Sequence, residues 1–514
     1  MIYLLLCLIF SFDYLEDIHI LQANRYNLER YINWQKQHFK LMNISLKKGC
    51  FILSFFVLSR LFAYEQEQLL NTLFLLLILF FTLKREQKLP KNQPLIYTKR
   101  IKRLLTLLIC FVLLITSLIA LFPFTIYPLV LLMGIFHSYF LLLVAMMAQP
   151  MERRIKRLYR DSAVAKLIHC PCIKIGITGS YGKSSVKNIL NEVLSTRYLC
   201  CPTPLSYNNE MGITKTILEK LTVFHEIFIC EMGADHLHEI EDLCHLVQPT
   251  IGIISAIGPQ HLSTFHSMEN ILHEKLQLIE SLPATGVGIL NNDNQYLRTT
   301  YLEVRCRLVT IGIHHPADFK ASNIKCNATG CLFDVTHHNQ TKTYQIPLLG
   351  EHNILNCLMA IAVAVELKVD DVLVHYALAH LTPIPHRLEL KSYAGATLID
   401  NAYNSNPDSA LASLKVLNMM EGHHFIITPG FIDLADSHEA YSETFGEQIA
   451  KYSDTVLLVG TNVTAIKRGC IRGGMRESSI IHTQTMKEAL YFIKSLVRKG
   501  DTILIENDLP DIFL

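Results

Sequence analysis

Net charge is the first thing this chain lacks. Its 47 Lys and Arg against 45 Asp and Glu leave a formal +2 over 514 residues, so composition makes no case for nucleic acid. Metal-binding spacing is missing as well. Of the 14 cysteines, Cys170/Cys172 and Cys200/Cys201 form close pairs, and neither has zinc spacing. Reduced thiols are therefore expected in place of a disulfide framework. None of the 23 histidines stands in a His-Glu-x-x-His helix, and nearly all read as surface or loop residues. A secretory leader is not apparent. Met1–Phe10 is apolar but has no basic start and runs into Asp13, Glu16 and Asp17. Its other reading is a partial further span.

The small net charge hides an asymmetry. Residues 1–166 hold 21 Lys and Arg against 9 Asp and Glu, a surplus of 12. The remainder holds 26 against 36, a deficit of 10. The basic third is also the apolar third, with runs near 50–64, 69–83, 104–122 and 129–148. A membrane span needs about 20 apolar residues. The last two runs qualify, and the first two read as a hairpin turning at Glu65–Gln68. Basic residues crowd 24–48, 84–103 and 153–160, while the intervening loops carry Glu65 and Glu67 or no charge. The positive-inside rule puts the basic loops, and everything after residue 150, on the cytoplasmic face. The expectation is an α-helical, multi-pass region over 1–150 in the inner membrane, in contact with membrane lipid.

The most informative stretch is Gly176-Ile-Thr-Gly-Ser-Tyr-Gly-Lys-Ser-Ser-Val-Lys187. A β-prone run, 173–177, precedes it. Val186, Ile189, Leu190, Val193 and Leu194 follow at helical spacing. The glycines thus sit on a strand-to-helix turn, which aims backbone N–H groups and a helix N-terminus at an anion. Gly179 and Gly182 allow close backbone approach to a phosphate. Lys183 offers a point charge for the outer phosphates, and Ser184 a hydroxyl for Mg²⁺. The spacing is not that of the common P-loop, because Ile177 stands six residues before Lys183.

Beyond Pro171 strands and helices alternate. Strands are expected near 173–178, 227–230, 251–256 and 286–290, with helices near 185–195, 211–221 and 268–282. That pattern indicates an α/β fold, a mostly parallel sheet with helices on both faces. Ligands of such sheets collect at the C-terminal strand ends. There stand Glu231, the segment Ser255–His261, and Asn291-Asn292-Asp293. A smaller Rossmann-like domain is expected after Pro383-Ile384-Pro385, with strands near 396–400, 425–428, 456–459 and 502–505. The organisation reads as 1–150, 151–383 (a P-loop-type ATP-binding domain) and 384–514.

In combination and order these motifs resemble the Mur ligases, ATP-dependent amide ligases of peptidoglycan precursor synthesis. Thr178–Lys187 is similar to their ATP loop, through Thr178, Gly179, Ser180, Tyr181, Gly182, Lys183 and Ser184. Ser206-Tyr-Asn-Asn-Glu-Met-Gly212 resembles the segment that follows it. Glu231-Met-Gly-Ala resembles the metal-binding glutamate segment, and Ile257–Leu262 the one whose histidine, His261, binds a second magnesium. Lys275 falls where the family carries a carbamylated lysine. Gly350-Glu-His-Asn353 resembles the adenine-side motif. Arg387 and Asp400-Asn-Ala-Tyr-Asn-Ser-Asn-Pro407 are similar to the residues that close over ATP, with Tyr403 read as adenine-side packing or core.

The resemblance implies ATP, two Mg²⁺ ions held by Ser184, Glu231, His261 and Lys275, and catalytic roles for Lys183, Lys275 and His261. Within the family, Tyr-Asn-x-Asn-Pro together with Asn-Asn-Glu-Met-Gly is most similar to the branch that joins D-Ala-D-Ala to UDP-MurNAc-tripeptide. Inner-membrane cell-wall enzymes would be further partners. The alternatives are a membrane-bound ligase of another substrate, poly-γ-glutamate synthase-like, and a non-catalytic ATP-binding organiser of cell-wall enzymes. The chain departs from the family at both ends. Residues 1–150 leave no room for the usual UDP-binding domain. Thr428–Leu434 and Glu506–Asp511 differ from the expected Gly-Asp-Met-x-Glu-Leu-like and Lys-Gly-Ser-like segments, and Gln277 replaces an expected acidic residue.

Overall fold

The computed structural model describes residues 14–24, 26–37, 95–120, 137–402, 407–431, 438–461 and 463–507. They fall into two compact units, Met1–Lys156 and Arg157–Leu514.

The first unit is helical: residues 14–23, Leu28–Gln37, Lys99–Ala120 and the start of His137–Ile168. No helix among the described residues is long and apolar enough to cross a membrane. This corrects the expected multi-pass region and, with it, the placement in the inner membrane. Helix Lys99–Ala120 begins with four cations in its first five residues (Lys99, Arg100, Lys102, Arg103) and buries the stripe Ile101, Leu104, Leu108. From His137 onward, helix His137–Ile168 is apolar as far as Ala148. It then runs through Gln149, Pro150 and Glu152 into a basic, exposed stretch. Arg103 forks onto Glu152 at 2.7 and 2.8 Å. The runs 50–64 and 69–83 and the segment Met1–Phe10 lie outside the described residues.

The second unit carries two sheets. The first is built from β1 (Ile173–Thr178), β2 (Cys200–Pro202), β3 (Ile227–Glu231), β4 (Ile251–Ile254), β5 (Val287–Asn291), β6 (Arg307–Gly312), β7 (Phe319–Asn327), β8 (Gly330–His337) and β9 (Gln340–Ile346). Their order is β2-β3-β1-β4-β5-β6-β7-β8-β9, parallel through β7 and antiparallel from there on. Strands β3 and β4 are largely apolar on both faces, as strands covered on both sides must be, while β1 puts Ile173, Ile175 and Ile177 on one face and Lys174, Gly176 and Thr178 on the other. Ile175, Ile177, Ile229 and Ile253 pack with helices Lys183–Leu194 and Glu351–Glu366. Phe228 and Cys230 point the other way, into a core with Ile213, Ile240 and Leu243. Each fully buried aliphatic side chain of helix Lys183–Leu194 contributes about 1.5–3 kcal/mol, which fixes the helix that carries Lys183 at its N-terminus.

The other sheet comprises β10 (Glu389–Tyr393), β11 (Ala396–Asn401), β12 (His424–Thr428), β13 (Thr455–Val459), β14 (Ile480–Thr483) and β15 (Thr502–Glu506). Its order is β10-β11-β15-β12-β13-β14, parallel apart from the β10–β11 hairpin.

Ten described cysteines are free, but Cys326 and Cys331 face each other across the β7–β8 hairpin and are joined. The expectation of wholly reduced thiols did not foresee that pair.

Candidate active site

The strand ends β3, β1, β4 and β5 lie side by side in the order the sheet gives them, so the segments that follow them share one edge. The glycine loop is clamped to the segment after β4. Ser180 N donates to Ala256 O (2.7 Å), Ser180 Oγ to Gly258 O (2.9 Å), and Tyr181 OH to Pro259 O (2.8 Å). Ser255 Oγ donates to the Tyr181 carbonyl and lies 3.2 Å from Thr178 O. Gly179 has φ 143°, and a Cβ there would stand 2.3 Å from Ser255 Oγ, so no other residue fits this turn. Gly182, at φ 80°, precedes helix Lys183–Leu194. Thr178 Oγ1 ties the end of β1 to Met232 O at 2.9 Å.

Lys183 Nζ donates to the carbonyls of Gly179 and Ser180, the latter at 3.1 Å. Desolvation lowers its pKa to about 8; Glu231 opposes that and Arg387 adds to it. One loop therefore holds Lys183 within electrostatic reach of two other expected site residues.

Glu231 is the last residue of β3 and almost fully buried, 1% exposed. Burial by itself would raise its pKa, but Lys187 and Lys183 outweigh it and hold the carboxyl below its ordinary range. Lys187 Nζ lies 3.0 Å from Oε2 and Asn208 Nδ2 3.1 Å from Oε1, and the nearby Ser184 hydroxyl also favours the carboxylate form. A carboxylate with an adjacent serine hydroxyl is a hard oxygen donor set of the kind Mg²⁺ takes.

Lys275 is 1% exposed on helix Met268–Glu280. Its Nζ donates to Ala234 O at 3.3 Å and stands 5.6 Å from the Phe265 ring centroid. Desolvation, then repulsion from Lys183, bring its pKa to about 7, against the pull of Glu274, Glu239 and Asp235. An amine so placed gives up its proton far more readily than a solvated lysine. Its neighbour Glu274 caps helix Glu239–Val247, accepting from His238 N (2.7 Å) and Ile240 N (2.6 Å). His261 has a left-handed backbone, φ 54°, and precedes the short helix Leu262–Phe265.

Asn353, in the first turn of helix Glu351–Glu366, donates to Leu349 O (2.9 Å) and accepts from Asn356 Nδ2 (3.3 Å). Asn356 Oδ1 would be 3.1 Å from a Cβ on Gly182, which brings this helix against the loop. His352 is pushed down to about pKa 4 by desolvation and by Arg387, so Arg387 is near both His352 and Lys183. Asp400, near the end of β11, meets Lys391 Nζ at 2.5 Å on β10, His386 Nδ1 at 2.9 Å before β10 and Ala402 N at 3.2 Å just after β11. Tyr403, residues 432–434 and residues 508–511 lie outside the described residues.

One rim segment has a different use. Asn291 Nδ2 donates to Ser255 O, and Asn292 Nδ2 to Pro316 O. Asp293 accepts the backbone N–H groups of Ile313, His314 and His315. Asn291 thus ties β5 to the segment after β4, while Asn292 and Asp293 pin it to the turn after β6. Lys187, Asn208, Glu274 and Asn356 carry no individual role in the sequence motifs. Lys187 had a usable signal, since it lies four residues after Lys183 and so on the same helical face.

Residues 177–364 match the Mur ligase middle domain, and residues 386–506 the Mur ligase glutamate ligase domain. The UDP-N-acetylmuramoyl-tripeptide–D-alanyl-D-alanine ligase of Bacillus subtilis is 29% identical over 336 residues, 65% of this chain and 72% of the relative. MurF from Acinetobacter baumannii shares the fold at TM-score 0.62 and 24% identity, over 69% of this chain and 77% of that one. MurF from Thermotoga maritima, solved in complex with ADP, gives TM-score 0.61 and 21% identity over 69% and 80%.

Proposed function

This chain belongs to the Mur ligase family, and on that premise we propose that it joins D-Ala-D-Ala to UDP-MurNAc-tripeptide with ATP as the energy source. A carboxylate does not react with an amine unaided. In the proposed reaction the tripeptide carboxylate attacks the γ-phosphorus of ATP and ADP departs, leaving an acyl phosphate. The dipeptide amine then attacks the acyl carbon, loses a proton, and phosphate leaves as the amide forms.

The chain's residues divide this work. The N–H groups of Gly179–Gly182 and the helix that starts at Lys183 face the phosphates. Lys183 neutralises charge at the transferred group, where the transition state needs it. Arg387 approaches from the C-terminal domain, and Asn353 and Asp400 serve the nucleoside side. Ser184 and Glu231 would hold one Mg²⁺, with His261 at a second. The ions would supply further charge neutralisation at the phosphates. Lys275 is suited to carbamylation, because a neutral buried amine can capture CO₂ and become an anion.

The observation that carries this reading is the grouping of Lys183, Ser184 and Glu231 at the C-terminal edge of a parallel sheet, in a chain that matches both family domains. Lys183→Ala tests it. The variant is expected to lose at least a hundredfold in ADP release while its thermal unfolding stays within a few degrees of the parent's. ADP release within tenfold of the parent's would overturn the assignment of the loop.

A further inference from the structure

Two lysines one turn apart on helix Lys183–Leu194 make different contacts. Lys183 turns back onto the loop carbonyls, while Lys187 reaches inward to Glu231. The side chains of Lys187 and Glu231 are 3% and 1% exposed. A buried ion pair gains little stability over a well-packed apolar pair, so stability alone does not account for a charge at position 187. Its other partner is informative. Lys187 Nζ also donates to the carbonyl of Leu205, which has φ 47° in the loop between β2 and helix Glu210–Glu219.

That loop closes on Glu231 from the far side. Glu231 N donates to Thr203 Oγ1 (3.1 Å), Asn208 Nδ2 donates to Glu231 Oε1 (3.1 Å), and Gly233 N donates to Asn208 O (2.8 Å). Asn209 then caps helix Glu210–Glu219 through Gly212 N at 2.9 Å. One ammonium thus joins the phosphate-loop helix, the carboxylate at the end of β3, and the loop that holds that carboxylate's other oxygen.

We propose that Lys187 is a positioning residue: it fixes the Glu231 carboxylate and the 203–209 loop in one arrangement, so that Glu231 offers its remaining lone pairs to a divalent cation. The inference rests on the ATP-and-Mg²⁺ reading above. A charge is needed because the ammonium holds two oxygens at once, the Glu231 carboxylate and the Leu205 carbonyl. A neutral amide reproduces neither the charge nor the tetrahedral directions, and arginine keeps the charge but in a larger planar fork.

The test reads metal binding apart from turnover. Mn²⁺ is titrated into the full chain carrying a non-hydrolysable ATP analogue and followed by electron paramagnetic resonance. Affinity for the analogue without metal is measured in parallel. Lys187→Gln is expected to weaken Mn²⁺ at least tenfold and Lys187→Arg about threefold, both with analogue affinity within threefold of the parent. If the Gln variant does not fold, the Arg variant decides. Unchanged or tighter Mn²⁺ binding in a folded variant would overturn the proposal. So would equal losses of Mn²⁺ and analogue, which would reduce Lys187 to a packing residue. A parent chain that binds neither analogue nor Mn²⁺ would instead count against the functional reading itself.

Discussion

Asp293 illustrates how one carboxylate at the candidate site's edge can be committed to structure. It accepts three successive backbone N–H groups, from Ile313, His314 and His315. Those bonds outweigh its partial burial and lower its pKa below the usual aspartate value of 3.8. A carboxyl depressed in the folded state adds stability above its unfolded pKa and loses it as pH falls through the folded one. Asp293→Asn should therefore be less stable than the parent at pH 7, and the gap should narrow below about pH 3.8. Urea unfolding at pH 7 and pH 3 checks this, and a gap that widens in acid would refute it. At this scale Lys183, Ser184 and Glu231 stand out in the sequence as candidates, because a glycine-rich strand-to-helix turn and a carboxylate at a strand end are local patterns. It did not disclose Lys187 on Glu231 or Asn208 opposite it, since those contacts join segments far apart in the chain.

Elements were legible where apolar periodicity was strong. Strands β1, β3, β4, β5, β11, β12, β13 and β15 and their helices stand within a few residues of expectation. The β6–β9 extension was not foreseen. Its β8–β9 hairpin turns at His338 and Asn339, with φ 47° and 61°, a left-handed pair made without the glycine that usually marks such a turn. Strand β7 alternates buried with half-buried residues in its first half and exposed with half-buried ones in its second, and its register shift between Ser322 and Lys325 and its mixed Lys, Asn and Ser content hide the period. Helix Lys183–Leu194 matters most to the site, because its packing sets where Lys183 begins. Leu190 is fully buried there. Leu190→Ala should cost about 2–5 kcal/mol of stability, read by chemical denaturation, and should weaken nucleotide binding in the same variant. Lost stability with unaltered nucleotide affinity would separate the helix's packing from its role in the loop.

At the scale of the whole molecule the apolar N-terminal third was misread. The runs at 104–122 and 129–148 have the length of spans when counted as letters. In the structure residues 104–120 of the first belong to a helix that opens on four cations, and residues 137–148 of the second to a helix that continues past Pro150 into a charged stretch ending at Ile168. Every expected site residue lies in Arg157–Leu514, a compact unit that contains both matched family domains. A chain of residues 157–514 should accordingly bind an ATP analogue within threefold of the full-length protein, by calorimetry. A loss beyond tenfold would show that the first unit takes part in the nucleotide site.

The most direct test of the account is the reaction itself. The full-length protein is supplied with ATP, Mg²⁺, UDP-MurNAc-tripeptide and D-Ala-D-Ala, and the products are weighed by mass spectrometry. The account predicts UDP-MurNAc-pentapeptide, one ADP and one phosphate for each amide formed, and no pentapeptide when D-Ala-D-Ala or ATP is left out. Folded protein that consumes ATP with another amine, and makes no pentapeptide from D-Ala-D-Ala, would contradict it.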